Sequence, residues 1–250
     1  MGKMNKVYLG IHQKQSMPDF RIAIKKKHLS FLRGKKIIIT LLFFLSSSLA
    51  LSQVLQDEQF LYGTKIGEHM GEAVDITVVD GRAIAVIGSP EYDGSNFTAH
   101  TGRVRVYELV NGTWSQLGAD IDAGFLSGGY WIVDGLFGFS VSISEDGTRI
   151  AVGQPSEVGT TPEYGVAYVY EYNSQSNSWE EIGFFREIGL EDRGNELGYA
   201  VSLNADGSRV AITARRHDND DGTTGKVLIY EDINGVWTEI GVIYPEIMDF

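Results

Sequence analysis

Gly138-Phe-Ser-Val-Ser-Ile143, Ser144-Glu-Asp-Gly147, Ile150-Ala-Val-Gly153, then, after a loop, Gly165-Val-Ala-Tyr-Val-Tyr170 and Trp179-Glu-Glu-Ile-Gly183 form one unit of a repeat. The same order of blocks starts again at Gly198, and an earlier copy starts at Gly71. Spacings inside the blocks are kept. Five residues separate the hairpin Asp from an Ala (Asp80 to Ala85, Asp146 to Ala151, Asp206 to Ala211). Five separate a Gly from a Tyr (Gly102 to Tyr107, Gly165 to Tyr170, Gly225 to Tyr230), and four separate a Trp from a Gly (Trp114 to Gly118, Trp179 to Gly183, Trp237 to Gly241). A unit of about sixty residues repeated in this way is one supersecondary module that buries its faces against its neighbours.

Each unit reads as four short strands. The first alternates apolar and polar residues, as in Phe139-Ser-Val-Ser-Ile143, and the second is a small, branched run such as Ile84-Ala-Val-Ile87. Asp-Gly between them suits a hairpin, because these residues tolerate positive φ. The third strand starts at the Gly and alternates, as in Arg103-Val-Arg-Val-Tyr107. A second turn, Asn111-Gly112 or Asn234-Gly235, leads to a fourth strand at the Trp. Helical periodicity is absent after residue 52. The expected fold is all-β: a β-propeller-type array of four-stranded antiparallel blades, three visible repeats at about 64–121, 134–186 and 194–245. A unit of this length is short for the competing β-sandwich, which needs roughly 100 residues. Blades taper, so Ala85, Ala151 and Ala211 are expected near the axis, with the repeated Tyr and Trp on wider outer strands. Closed propellers have about four to eight blades. Three units therefore imply either a piece of a longer protein or completion by oligomerisation.

Charge is unevenly placed. The 250 residues carry a formal charge of −12, but residues 1–52 hold ten Lys/Arg and one acid, which leaves −21 on the remainder. Such a surface repels phosphate backbones and argues against nucleic-acid binding. The absence of cysteine excludes disulfides and thiol chemistry. Lys25-Lys-Lys27 and Lys35-Lys36 precede the apolar run Ile37 to Leu45, then Ala50-Leu51-Ser52. A basic region, a short apolar region and a small-x-small site describe a signal peptide over 1–52, with cleavage expected before Gln53. The run is far below the ~20 residues that span a bilayer.

The repeat resembles the FG-GAP repeats of integrin α-like propellers and of secreted microbial proteins, over residues 64–241. The Phe-Gly element stands at Phe137-Gly138 and is relaxed to Met70-Gly71 and Leu197-Gly198. The Gly-Ala-Pro element is relaxed to Gly88-Ser-Pro90 and Gly153-Gln-Pro155, and is replaced by Thr213-Ala-Arg215. The resemblance implies a blade architecture and a role in binding or adhesion. Many FG-GAP hairpins also hold calcium on an Asp-x-Asp-x-Asp-Gly loop. The hairpins here, with Val79-Asp80-Gly81, Glu145-Asp146-Gly147 and Ala205-Asp206-Gly207, offer too few carboxylates for an ion that takes six to eight oxygens.

Outside the repeat the candidates are few. Asp218, Asp220 and Asp221 form an acidic cluster that reads first as a solvated turn and second as a weak calcium loop. His217, beside Arg215, Arg216 and Asp218, reads as part of a charged exposed loop; His69 and His100 have no partner motif. No nucleophile motif accompanies them, so no catalytic residue, cofactor or confident metal site is assigned. Tyr130 and Trp131 lie in Gly124 to Asp134, a stretch without counterpart in the other units, and form a candidate contact for a protein or glycan partner. The chain is therefore expected to be an exported, non-catalytic binding or adhesion protein, secreted or at the cell surface. A secreted glycan-active enzyme and a periplasmic Tol-associated-type propeller are the alternatives.

Overall fold

A computed structural model describes residues 60–94, 101–123, 135–155, 165–187, 195–218 and 224–245. The first blade is the meander β1 (Val74–Val79), β2 (Arg82–Ser89), β3 (Arg103–Val110) and β4 (Thr113–Gln116), with a short β5 (Ile121–Asp122) continuing along β3. The second is β6 (Ser140–Ile143), β7 (Arg149–Gln154), β8 (Val166–Asn173) and β9 (Ser178–Arg186). The third is β10 (Leu197–Leu203), β11 (Arg209–Asp218), β12 (Thr224–Ile233) and β13 (Val236–Ile243). The fold is all-β, three antiparallel sheets stacked like propeller blades.

The hairpin turns differ between blades. In blade 1, Asp80 (φ 49°) and Gly81 (φ 79°) form a two-residue turn whose positive φ matches strand twist. In the 144–148 turn of blade 2 only Gly147 is left-handed. Asp146 works through its carboxylate, which accepts from Ser144 Oγ (2.6 Å), Thr148 N (3.0 Å) and Thr148 Oγ1 (2.9 Å). Asp206 does the same with Ser208 N (2.9 Å) and Asn204 Nδ2 (2.8 Å). These hydrogen bonds outweigh burial and hold the Asp146 carboxyl below its ordinary range.

This change of turn corrects the alignment of the three alanines. Ala85 lies opposite Tyr107, whereas Tyr170 lies opposite Ile150 and Tyr230 opposite Val210. Ala85 therefore occupies the place of Ile150 and Val210, one residue out of step with Ala151 and Ala211. One residue of offset turns a side chain to the other face of a sheet. Ala151 packs toward blade 3, whereas Ala85 points away from blade 2. The blades approach most closely at their first strands: β6 packs on β1 and β2, and β10 on β6 and β7.

Two cores lie between the blades. Ile84, Val86 and Val104 of blade 1 meet Phe137, Ile150 and Tyr168 of blade 2. Ala151, Val169 and Phe185 of blade 2 meet Val210, Ile212 and Leu228 of blade 3. The Phe-Gly element inserts the first of these plugs. Leu136 (φ 59°) and Gly138 (φ 88°) are left-handed, which drives the fully buried Phe137 between the sheets. His69 with Gly71 and Glu196 with Gly198 repeat the conformation around Met70 and Leu197. The glycines ending the second strands serve proximity. A Cβ on Gly88 would lie 1.9 Å from Gly138 O, and one on Gly153 would lie 2.0 Å from Gly198 O. The repeated Trp serves the same contact, since Trp179 lies against Gly118 and donates Nε1–H to Leu117 O (3.0 Å), and Trp237 lies against Gly183.

Candidate functional site: the rim of long connections

Meander topology sorts the connections by length. The tight turns at Asp80-Gly81, 144–148, 204–208, Asn111-Gly112, 174–177 and Asn234-Gly235 all lie at one end of the sheets. The connections from second to third strand (90–102, 155–165, 219–223) and from blade to blade (123–139, 187–196) leave from and return to the other end. The described roots of these connections thus share one end of the sheets. Tyr130, Trp131, His100, Asp220 and Asp221 belong to these connections and lie outside the described residues. Asp218 closes β11 in register with Thr224.

The roots of the connections carry two ionic networks. In blade 1, Arg103 pairs with Asp122 (2.5 and 2.8 Å) and Asp120 (2.5 Å), and its guanidinium lies 3.7 Å from the centre of the Tyr92 ring. Lys65 lies 4.6 Å from the same ring and donates to Asp93 O. Arg105, almost wholly buried, donates to Asp120 (2.8 and 3.2 Å) and Thr64 Oγ1 (3.1 Å), with Glu68 at 3.8 Å. Buried Glu68 in turn accepts the backbone N–H groups of Thr64 and Lys65, both at 3.0 Å. Burial alone would lower the Arg105 pKa, but the Asp120 hydrogen bond and charge win and raise it. Sequence reading missed this cluster because its members are spread from residue 64 to 122. The only signal was Arg103 and Arg105 on the face where blade 2 carries Val166 and Tyr168.

At the junction of blades 2 and 3, Glu196 accepts from Arg215 (Nη2 2.6 Å) and Arg216 (Nε 3.0 Å). Arg215 stacks 3.9 Å from the centre of the Tyr199 ring. Glu187 joins Asn195 Nδ2 (2.9 Å) to Lys226 Nζ (2.5 Å). The stretch Arg215 to Asp218, expected as a charged exposed loop, is the end of strand β11. Both its arginines are engaged by Glu196, and His217 is half-buried. His69 pairs with Glu91 (2.9 Å). Among the described residues, no group of three or more His, Asp or Glu converges as metal ligands. Gln154 is fully buried at the root of the 155–165 connection, and neither of its amide atoms is hydrogen-bonded to a partner among the described residues. These networks pin the roots of the connections, with Tyr92, Arg105, Glu68 and Glu196 buried within them.

The hydrogen bonds from Arg105, opposed by burial and aided by Gln116 and Arg103, hold the Asp120 carboxyl below its ordinary 3.8. A carboxyl depressed in the folded state stabilises above its unfolded pKa, and that stability is lost as pH falls through the folded pKa. Stability measured by urea unfolding is therefore expected to decline below about pH 4. Asp120→Asn is expected to lose roughly 1–3 kcal/mol at pH 7, because it leaves Arg105 short of its main partner. It should also show a shallower decline in acid; an unchanged pH profile would contradict this role for Asp120.

No family model matches the chain, and no curated protein matches it. Solved structures do. A candidate 6-phosphogluconolactonase from Bacteroides uniformis is similar over 74% of this chain and 42% of its own, at 9% identity and a TM-score of 0.42. The β-propeller domain of the Trilobed protease from Pyrococcus furiosus, which has an open velcro topology, is similar over 68% of this chain and 41% of its own, at 13% identity and a TM-score of 0.35. The chain thus spans about two fifths of the length of either structure.

Proposed function

We propose that this chain is an exported, non-catalytic propeller-type binding protein of the FG-GAP kind, which engages a protein or glycan at the cell surface or outside the cell through the rim of long connections. The segregation of the connections supports this reading. The repeat supplies a stack held by glycine contacts and apolar plugs, and the described roots of the unrepeated connections lie at one end of the sheets. Recognition is commonly carried by loops positioned on a rigid scaffold. The FG-GAP assignment is supported by the job its signature residues do here, since Phe137-Gly138 is the plug and Gly153 the contact point between blades.

Binding screens against glycans and surface proteins, followed by rim variants, test the proposal. Trp131→Ala with Tyr130→Ala is expected to weaken binding by at least about tenfold, the effect of losing an aromatic anchor. Asn173→Ser, at the opposite end, should leave affinity unchanged. The species exported by a secreting host should begin at Gln53. Release of product from a polysaccharide, abolished by carboxylate changes on the rim, would overturn the proposal in favour of a secreted glycan-active enzyme.

A further inference from the structure

Beside the plug Leu197, the junction of blades 2 and 3 departs from the repeat, and its departures meet. The residue after the left-handed glycine is Glu72 in blade 1, Phe139 in blade 2 and Tyr199 in blade 3. Glu72 is exposed, so the blade requires no aromatic there. Neither Phe139 nor Tyr199 belongs to a core between the blades. Yet these two half-buried rings touch across the junction, with centres 5.2 Å apart and planes inclined by 45°.

The second strands reach the same end as Ser89-Pro90, Gln154-Pro155 and Ala214-Arg215, with Ser89, Gln154 and Ala214 in one register. Proline, without an N–H, ends the pairing in the first two blades. In blade 3 the strand runs on, and Arg215 lays its guanidinium 3.9 Å from the centre of the Tyr199 ring. Arg216 has a counterpart. In blade 1, Glu91 pairs with His69 across the two places that Arg216 and Glu196 hold in blade 3, with acid and base exchanged. Arg215 is the addition. Among the described residues Glu196 is the one carboxylate paired with either arginine, so two guanidiniums share one negative charge. The side chains of Arg215 and Arg216 are 44% and 53% exposed, against 8% for Glu196. A buried acid thus holds two accessible cations at the edge of an aromatic pair.

We propose that this junction is a saccharide subsite whose ligand is a uronate: the sugar ring lies along Phe139 and Tyr199, and its carboxylate pairs with Arg215 and Arg216. The inference rests on the binding role proposed above and gives it a place and a ligand class. Aromatic rings offer apolar surface to the C–H face of a sugar. A guanidinium meets a carboxylate with two parallel N–H donors. The surplus cation is what selects an acidic sugar over a neutral one. The chain as a whole is acidic, but charges beyond the ~8 Å screening length of physiological salt count for little against an adjacent pair. Glu196 fixes both guanidiniums before a ligand arrives, which lowers the ordering cost of binding.

Titration calorimetry of the full chain with oligogalacturonate and with alginate oligomers tests this, beside the methyl-esterified galacturonate oligomer, whose carboxylates are blocked. At least one acidic oligomer is expected to bind, and galacturonate at least about tenfold more tightly than its ester, with affinity falling as salt rises. Arg215→Gln should weaken binding by at least about tenfold while keeping the urea midpoint, because the side chain it replaces is exposed. Tyr199→Leu keeps apolar volume, loses the ring and should weaken binding by a similar factor. Arg209→Gln removes an arginine of 55% exposure from the tight-turn end of the same strand and should leave affinity unchanged. No binding of either acidic oligomer, equal binding of the ester, or an equal loss on Arg209→Gln would overturn the proposal. The binding role itself would survive that result if another glycan or a surface protein still bound and was lost on Trp131→Ala with Tyr130→Ala. Failure of both sets of variants would end both readings.

Discussion

Phe137→Ala is expected to cost about 3–5 kcal/mol of stability, read as a drop in the urea midpoint with little change in slope. Phe137 is wholly buried and meets Tyr168 and Tyr170 edge-on, with ring centres at 5.5 and 6.3 Å. Removing the ring takes away both contacts and leaves a cavity in the core that joins blades 1 and 2. Folded domains are stable by only about 5–15 kcal/mol, so the loss is a large share of the total. Phe137→Leu should cost under about 1.5 kcal/mol, because the site needs apolar volume and Leu197 fills the corresponding place between blades 2 and 3. A cost for Phe137→Ala below about 1 kcal/mol would show that the plug does not hold the blades together.

Gly153→Ala is expected to be at least as damaging, at about 3 kcal/mol or more, through a different mechanism. Its new methyl would lie 2.0 Å from Gly198 O and 2.2 Å from Ser140 Oγ. Ser140 Oγ itself donates to Gly198 O at 2.9 Å, so the bond that stitches blade 2 to blade 3 must stretch or break. The obstruction on one side is backbone, which cannot step aside as a side chain can. Gly241→Ala is the contrast: a Cβ there meets nothing within 4 Å, and the expected change is within about 0.5 kcal/mol. Thermal unfolding of the two variants side by side would separate a contact effect from a general dislike of alanine at glycine sites. Equal losses would contradict the close-approach explanation.

Much of the blade was legible in the residues. Alternation in Phe139-Ser-Val-Ser-Ile143 marks a strand because successive side chains point to opposite faces, and that segment contains β6. Asn111 and Asn234 are both left-handed, as a tight turn before the fourth strand requires. The repeated Trp are expected on the wider outer strands, and Trp179 and Trp237 there lie against glycines of the preceding blade. The constant spacing from Asp to Ala misled, because Asp80 is a turn residue while Asp146 is an acceptor that braces a longer loop. Equal spacing along the chain therefore concealed a shift of face between Ala85 and Ala151. The Arg105 cluster was invisible for a related reason. Glu68, Arg105 and Asp120 have no fixed spacing that chemistry demands, and only the folding of 64–68 against blade 1 brings them together.

The sequence by itself determined the unit: four strands, their turns, and the plug and glycines by which one unit meets the next. These are local or nearest-neighbour properties, set by alternation, by left-handed turn residues and by the absence of a Cβ where two backbones touch. The tertiary structure decided which face each residue serves and which faces remain without a neighbour. Ile182 and Ile240 occupy the same place in the repeat, yet one is covered by the next blade and the other lies open to water. That difference depends on what stands beside the blade, and no spacing within the blade can encode it.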